Sequence, residues 1–216
     1  MKVLRKVQFH AARQAALALA LAGLCHLPGA MAQLPVETLT NEVAIKAKNR
    51  VYIPDIAIMH IADGKLHVVD GDTGAYQGVI GTGFTGQAKL SHDGKDLYIA
   101  TGYYSRGQRG ERTDIVEVWD AEKLSFKYEI PISDKRAMAL NYKWLLSLSA
   151  DGRWLFVQNA TPATSITVVD LQAKKMVSEI TTPGCWAAYP IPSSSNRFGM
   201  LCGDGTAQIV TLAEDG

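Results

Sequence analysis

The chain has 216 residues, 22 of them basic and 21 acidic, and 47% are hydrophobic. That is enough polypeptide for a domain with a sizeable core. A charge so nearly balanced, with no basic block, excludes the electrostatic footprint expected for nucleic acid or for an anionic membrane surface.

The first residues carry only positive charge (Lys2, Arg5, Lys6, Arg13), and an apolar run from Ala15 to Leu24 follows, closed by Ala30-Met31-Ala32. This is the pattern of a secretory signal peptide, with cleavage expected after Ala32 and delivery to the periplasm. The run is about ten residues, half of the roughly 20 that a membrane-spanning helix needs. Cys25 could mark a lipoprotein, but bulky Leu24 stands where such processing requires a small residue. Losing the leader removes four basic residues, leaving 18 against 21 acidic ones and a net charge of −3.

The segment 33–49 has few turn signals and mixed polarity, and is read as a lead-in. From Arg50 to Gly216 the pattern changes to short β-branched and aromatic runs punctuated by Gly-containing turns, the signature of half-buried strands. Val68-Val69-Asp70, Val118-Trp119-Asp120 and Val168-Val169-Asp170 recur at intervals of 50 residues. Ser91-His92-Asp93-Gly94-Lys95 and Ser149-Ala150-Asp151-Gly152-Arg153 each precede an apolar strand and are read as hairpin turns. Asp63-Gly64 and Asp204-Gly205 offer the same turn chemistry. Four short strands repeating every 40 to 50 residues predict an all-β fold of β-propeller blades, with three good repeats and a partial fourth from Cys185 to Leu212. A closed propeller needs at least about four blades. The propeller is therefore expected to be incomplete, as a fragment of a longer reading frame or as a part that closes through another chain.

Groups that could carry chemistry are sparse. Ser193-Ser194-Ser195 lacks the Gly-x-Ser-x-Gly context of a nucleophile elbow and reads as a loop. Gly81-Thr82-Gly83 is not followed by a helix, so it is no dinucleotide fingerprint. The Asp-Gly turns lack the alternating carboxylates of a calcium loop, and His60, His67 and His92 form no ligand pairs with the cysteines. No catalytic, cofactor-binding or metal-binding residue is assigned. Cys185 and Cys202 remain after export to an oxidising compartment and are expected to pair. Trp119, Trp144, Trp154 and Trp186 are assigned to packing between sheets.

The excursion from Gly102 to Asp114 separates two well-marked strands. Its Tyr103, Tyr104, Arg106, Arg109 and Arg112 form an Arg/Tyr-rich surface of the composition favoured at protein interfaces, and it is the candidate docking loop.

Several stretches resemble the heavy subunit of the tryptophan tryptophylquinone-dependent methylamine and aromatic amine dehydrogenases. They are Ser105-Arg106, Arg109-Gly110-Glu111-Arg112-Thr113-Asp114, Val116-Glu117-Val118-Trp119-Asp120, Trp144 with Ser147-Leu148, and Cys202-Gly203-Asp204-Gly205 with Cys185. The resemblance implies a seven-bladed propeller in a periplasmic assembly of two heavy and two light subunits. It also implies that tryptophan tryptophylquinone is carried by the light subunit and not by this chain. There it oxidises a primary amine to aldehyde and ammonia and passes electrons to a blue copper protein. The heavy subunit docks the light one. Heavy subunits of that family are longer than this chain, so later blades are absent here. Tyr103, Tyr104 and Trp119 point toward the aromatic-amine branch. The competing reading is a stand-alone exported β-propeller binding protein.

Overall fold

The structure is a computed structural model that describes residues 47–55, 58–138 and 142–216. The expected signal peptide and nearly all of the expected lead-in lie outside the described residues. Among the described residues fourteen strands form four antiparallel sheets. The first sheet holds β1 (Arg50–Asp55), β2 (Gly64–Asp70) and β3 (Tyr76–Gly83). The second holds β4 (Gln87–Leu90), β5 (Asp96–Tyr104), β6 (Arg112–Asp120) and β7 (Ser125–Ile132). The third holds β8 (Leu146–Leu148), β9 (Trp154–Asn159), β10 (Ser165–Asp170) and β11 (Lys175–Thr181). The fourth holds β12 (Cys185–Pro190), β13 (Arg197–Cys202) and β14 (Ala207–Thr211). Each sheet is an up-and-down meander in chain order, and the four are consecutive blades of a partial β-propeller.

The core lies in three seams between successive sheets, because each strand sends alternate side chains to opposite faces. Leu66, Ile80, Leu97 and Ile99 fill the first seam. Ala100, Val116, Val118, Ile130, Leu146, Leu148, Leu155 and Val157 fill the second. Trp154, Phe156, Ile166, Val168, Phe198 and Met200 fill the third, with the Phe156 and Phe198 rings 4.7 Å apart. Each fully buried aliphatic side chain contributes about 1.5–3 kcal/mol. The third seam is what makes β9 and β10 buried at every position: they are covered on both faces.

The 50-residue repeat is a bulged hairpin. Pairing slips at Val68/Val69, Val118/Trp119 and Val168/Val169, at the same place in three successive sheets. The Asp70, Asp120 and Asp170 carboxylates then accept backbone N–H groups two and three residues on. Positions 74, 124 and 174 take left-handed φ values of 73°, 52° and 53°. Glycine occupies only the first of them. At Leu124 and Lys174 the turn holds an ordinary side chain in a region that costs about 1–2 kcal/mol.

The Ser91–Lys95 and Ser149–Arg153 turns stand where expected, with Gly94 and Gly152 at φ 73° and 77°. Asp204-Gly205 likewise turns β13 into β14. Asp63-Gly64 does not make a tight hairpin. A 3-10 turn over Ile58–Asp63 precedes β2, so a longer connection does the work there. The Ser193–Asn196 stretch lies in the connection between β12 and β13, where Ser194 Oγ donates to Asn196 Oδ1 at 3.0 Å.

Candidate functional site

The hairpin of β5 and β6 is paired from Asp96↔Asp120 to Tyr104↔Arg112. This narrows the expected excursion to 105–111. Tyr103, Tyr104, Arg112, Thr113 and Asp114 belong to strands, since aromatic residues suit a pleated surface and Tyr103 and Tyr104 pair with Thr113 and Arg112. The remaining turn is tightly tied. Ser105 N–H donates to Glu111 O at 2.9 Å, Arg106 N–H to Arg109 O at 3.0 Å, and Glu111 N–H to Ser105 Oγ at 3.1 Å. Gly110 stands at φ 101°, and a Cβ there would collide with Ser105 Oγ. Arg106 and Arg109 are exposed on this turn.

Arg112 does something else. Its guanidinium turns inward: Nε donates to Asp114 Oδ1 at 2.8 Å, and one terminal nitrogen donates both to Asp114 Oδ2 and, at 3.0 Å, to Arg136 O. Asp114 is 1% exposed and also accepts Arg136 N–H at 3.1 Å. The sequence-level grouping of three arginines on one surface therefore separates into two at the rim and one beneath it.

Arg136 is the residue that sequence reasoning missed. It lies between β7 and β8, is 1% exposed, and reaches back to the segment before β4. There it donates to Phe84 O at 2.6 Å, Thr85 O at 2.9 Å and Gln87 Oε1 at 2.7 Å. Burial lowers its pKa to about 10, which leaves it charged at neutral pH. Its Nε has no partner among the described residues. Nothing in Ser133-Asp134-Lys135-Arg136 distinguishes it from a solvated charge run, so no sequence signal could have singled it out.

Tyr103 lies over Gly83, where a Cβ would come within 2.8 Å of the tyrosine ring. Its hydroxyl donates to Glu117 Oε1 at 2.7 Å, and Trp119 Nε1 donates to Glu117 Oε2 at 2.8 Å. Burial and the hydrogen bond to Glu117 push the Tyr103 hydroxyl pKa well above its ordinary value. Glu117 itself is 6% exposed. Tyr104 packs edge-on against Phe84, with centroids 5.7 Å apart. Tyr103 and Trp119 are thus the two clamps of one buried carboxylate.

Cys185 and Cys202 face each other in the β12–β13 register and form a disulfide 17 residues apart in sequence. Trp154 is buried as expected, while Trp144 and Trp186 are each 38% exposed. Among the described residues no group of three or more His, Cys, Asp or Glu side chains converges as metal ligands. The second sheet thus carries a hydrogen-bonded cationic turn with Tyr103 beside it, above a buried ion network.

Residues 47–216 match the family model for the methylamine dehydrogenase heavy chain. The methylamine dehydrogenase heavy chain of Paracoccus versutus is 33% identical over 180 residues, covering 82% of this chain and 41% of its own length. That of Methylobacillus flagellatus is 31% identical over 182 residues, covering 83% and 45%. That of Methylorubrum extorquens is 30% identical over 200 residues, covering 90% and 48%. This chain thus spans less than half the length of these curated relatives. Among solved structures, the Dos1 propeller superposes with a TM-score of 0.54 at 14% identity, over 74% of this chain and 38% of that one. Dihydro-heme d1 dehydrogenase NirN superposes at 0.51 and 18% identity, over 87% and 40%. Both likenesses concern the fold.

Proposed function

The chain belongs to the methylamine dehydrogenase heavy-chain family, and on that premise we propose that it is blade-forming sequence of the non-cofactor subunit of a periplasmic amine dehydrogenase. The observation that carries the reading is the family match across 47–216, which takes in every described blade. In this reading the enzyme oxidises a primary amine to aldehyde and ammonia on a tryptophan tryptophylquinone held by a light subunit. The heavy subunit's task is to dock that partner, in an assembly of two heavy and two light subunits that hands electrons to a blue copper protein. The leader supports export, and the paired cysteines accord with an oxidising compartment.

The docking role falls on the β5–β6 turn. Arg106 and Arg109 supply two exposed guanidiniums, Tyr103 is 42% exposed beside them, and the backbone bonds of the turn limit the ordering entropy lost on association. Preorganised Arg and Tyr side chains are the types that most often dominate binding energy.

The test is a pull-down from periplasmic extract with the mature chain as bait, checked by circular dichroism to be folded. The expected eluate contains a small, coloured, cysteine-rich partner with dye-linked oxidation of methylamine or phenylethylamine. Arg106→Ala/Arg109→Ala should weaken capture. A folded bait that retains no coloured protein would remove docking from these blades and favour a stand-alone binding propeller.

A further inference from the structure

The first strands of the last three sheets, β4, β8 and β12, run together at the inner edge of the fan. Ser147 Oγ donates to Ala188 O at 2.7 Å and ties β8 to β12 there. The 3-10 turn Lys143–Leu145 sits where these strands converge, touching β4 on one side and β12 on the other. It brings together residues that no sequence motif links: Lys89 of β4 in the second sheet, Lys143 and Trp144 of the turn, and Tyr189 of β12 in the fourth.

The chemistry of this group is unbalanced. Trp144 and Tyr189 stack obliquely, with centroids 5.2 Å apart, and Lys143 Nζ stands 5.2 Å from the centre of the Trp144 ring. Trp144 nonetheless remains 38% exposed and neighbouring Tyr142 is 56% exposed. Lys89 is half-buried, and the charge that acts on it is the Lys143 ammonium rather than a carboxylate. Burial and that like charge hold the Lys89 ammonium below the usual lysine range. Half-buried charge is ordinarily compensated by an opposite one, yet no described carboxylate reaches either lysine.

We propose that this inner edge, formed by Lys89, Lys143, Trp144 and Tyr189, is a binding surface for a carboxylate-bearing segment of a partner protein. A carboxylate placed between the two ammoniums supplies the missing counter-charge, and apolar side chains beside it cover the open faces of Trp144 and Tyr142. The surface runs from β4 across the turn to β12 and carries part-exposed rings at Tyr142 and Trp144, so an extended acidic peptide fits it better than a small organic acid, which would leave the rings bare. The site shares no residue with the β5–β6 turn and does not depend on the amine dehydrogenase reading.

The test uses the full mature chain and a fluorescein-labelled hexa-glutamate peptide, followed by anisotropy and by the part of the tryptophan emission that Trp144→Phe removes. The mature chain is net negative, so binding of an anionic peptide requires a local cationic site. We expect binding that weakens with salt and falls roughly tenfold in Lys89→Gln/Lys143→Gln. Lys143→Glu, a change at an exposed side chain, should show a similar loss and a gain of affinity for hexa-lysine. The same affinity in wild type and double variant, absence of binding to the wild type, or loss only in Arg106→Gln/Arg109→Gln would each overturn the proposal. An equal effect of free citrate at the same charge concentration would also overturn it, by assigning the site to small anions.

Discussion

Replacing Asp114 tests whether the second sheet is organised around one buried carboxylate. Asp114→Ala removes the acceptor of two Arg112 hydrogen bonds and of the Arg136 N–H, and leaves two guanidiniums next to each other, one of them 1% exposed. Removing one partner of a buried ion pair costs about 3–5 kcal/mol, because the remaining charge stays buried without compensation. Arg112 can recover part of this by turning toward solvent, since its side chain is 16% exposed; Arg136 cannot. We therefore expect a loss of about 3 kcal/mol for Asp114→Ala. Asp114→Asn, which keeps an acceptor but not the charge, should lose less, about 2 kcal/mol. Urea denaturation followed by far-ultraviolet circular dichroism gives both values, provided the slope is unchanged. A loss below about 1 kcal/mol for the alanine variant would refute the network as the support of the hairpin. Gly102→Ala provides an independent arm: its Cβ would come within 2.5 Å of Asp114 Oδ1 and should destabilise through the same carboxylate.

Three further outcomes follow from particular contacts. Cys202→Ser opens a cross-link spanning 17 residues, for which chain entropy predicts about 3 kcal/mol; a thermal scan should show the midpoint fall by roughly 10 °C, and an unchanged midpoint would count against the bond. Tyr103→Phe deletes the bond to Glu117 and should cost about 1 kcal/mol, discounted for the exposure of the tyrosine, while Trp119 fluorescence shifts as its acceptor relaxes. Acid lability should come in part from the repeated turns. The Lys123 and Glu122 backbone amides hold Asp120 below its ordinary value of 3.8. At Asp170 burial pulls upward but is outweighed by the Ala173 and Gln172 amides and the Arg153 guanidinium. A lowered folded pKa means that the unfolded chain takes up the proton first. This stabilisation is therefore complete above 3.8 and is lost as pH falls through the folded values. Urea midpoints should drop over that acid range, and more shallowly in Asp120→Asn/Asp170→Asn; parallel curves would refute the assignment.

The blade pattern was legible because turn chemistry is local. An Asp that caps two amides, a bulge before it and a left-handed residue after it need only neighbouring residues, so they leave a trace at 70, 120 and 170 that survives changes in everything around them. The cysteines were legible for a different reason, since the expected export and an even count leave one pairing. The site was only half legible. Composition could say that Tyr103, Tyr104, Arg106, Arg109 and Arg112 lie close together, but not which of them face solvent. That depends on strand pairing running on to Tyr104 and Arg112, and on a carboxylate two residues further along. Arg136 was invisible because its partners, Phe84, Thr85 and Gln87, are about 50 residues earlier in the chain and mostly backbone carbonyls, which have no residue type to read.

Arg106 and Arg109 sit on a turn whose base is Arg112, whose orientation is fixed by Asp114, and Asp114 in turn grips the backbone of Arg136. Arg136 closes the circuit by binding the carbonyls that lead from the first sheet into β4. A substitution between β7 and β8, some distance from the exposed turn, should therefore alter its pose without touching it. Arg136→Lys is the sharpest case: the charge remains, but one ammonium cannot reproduce a planar fork that serves Phe84 O, Thr85 O and Gln87 Oε1 together. We expect about 2–4 kcal/mol of destabilisation and, in the fraction that folds, faster proteolysis within 105–111. Limited proteolysis at matched folded fraction separates the two effects. If cleavage of the turn is unchanged while stability falls, Arg136 holds the sheets together but does not set the pose of the exposed turn.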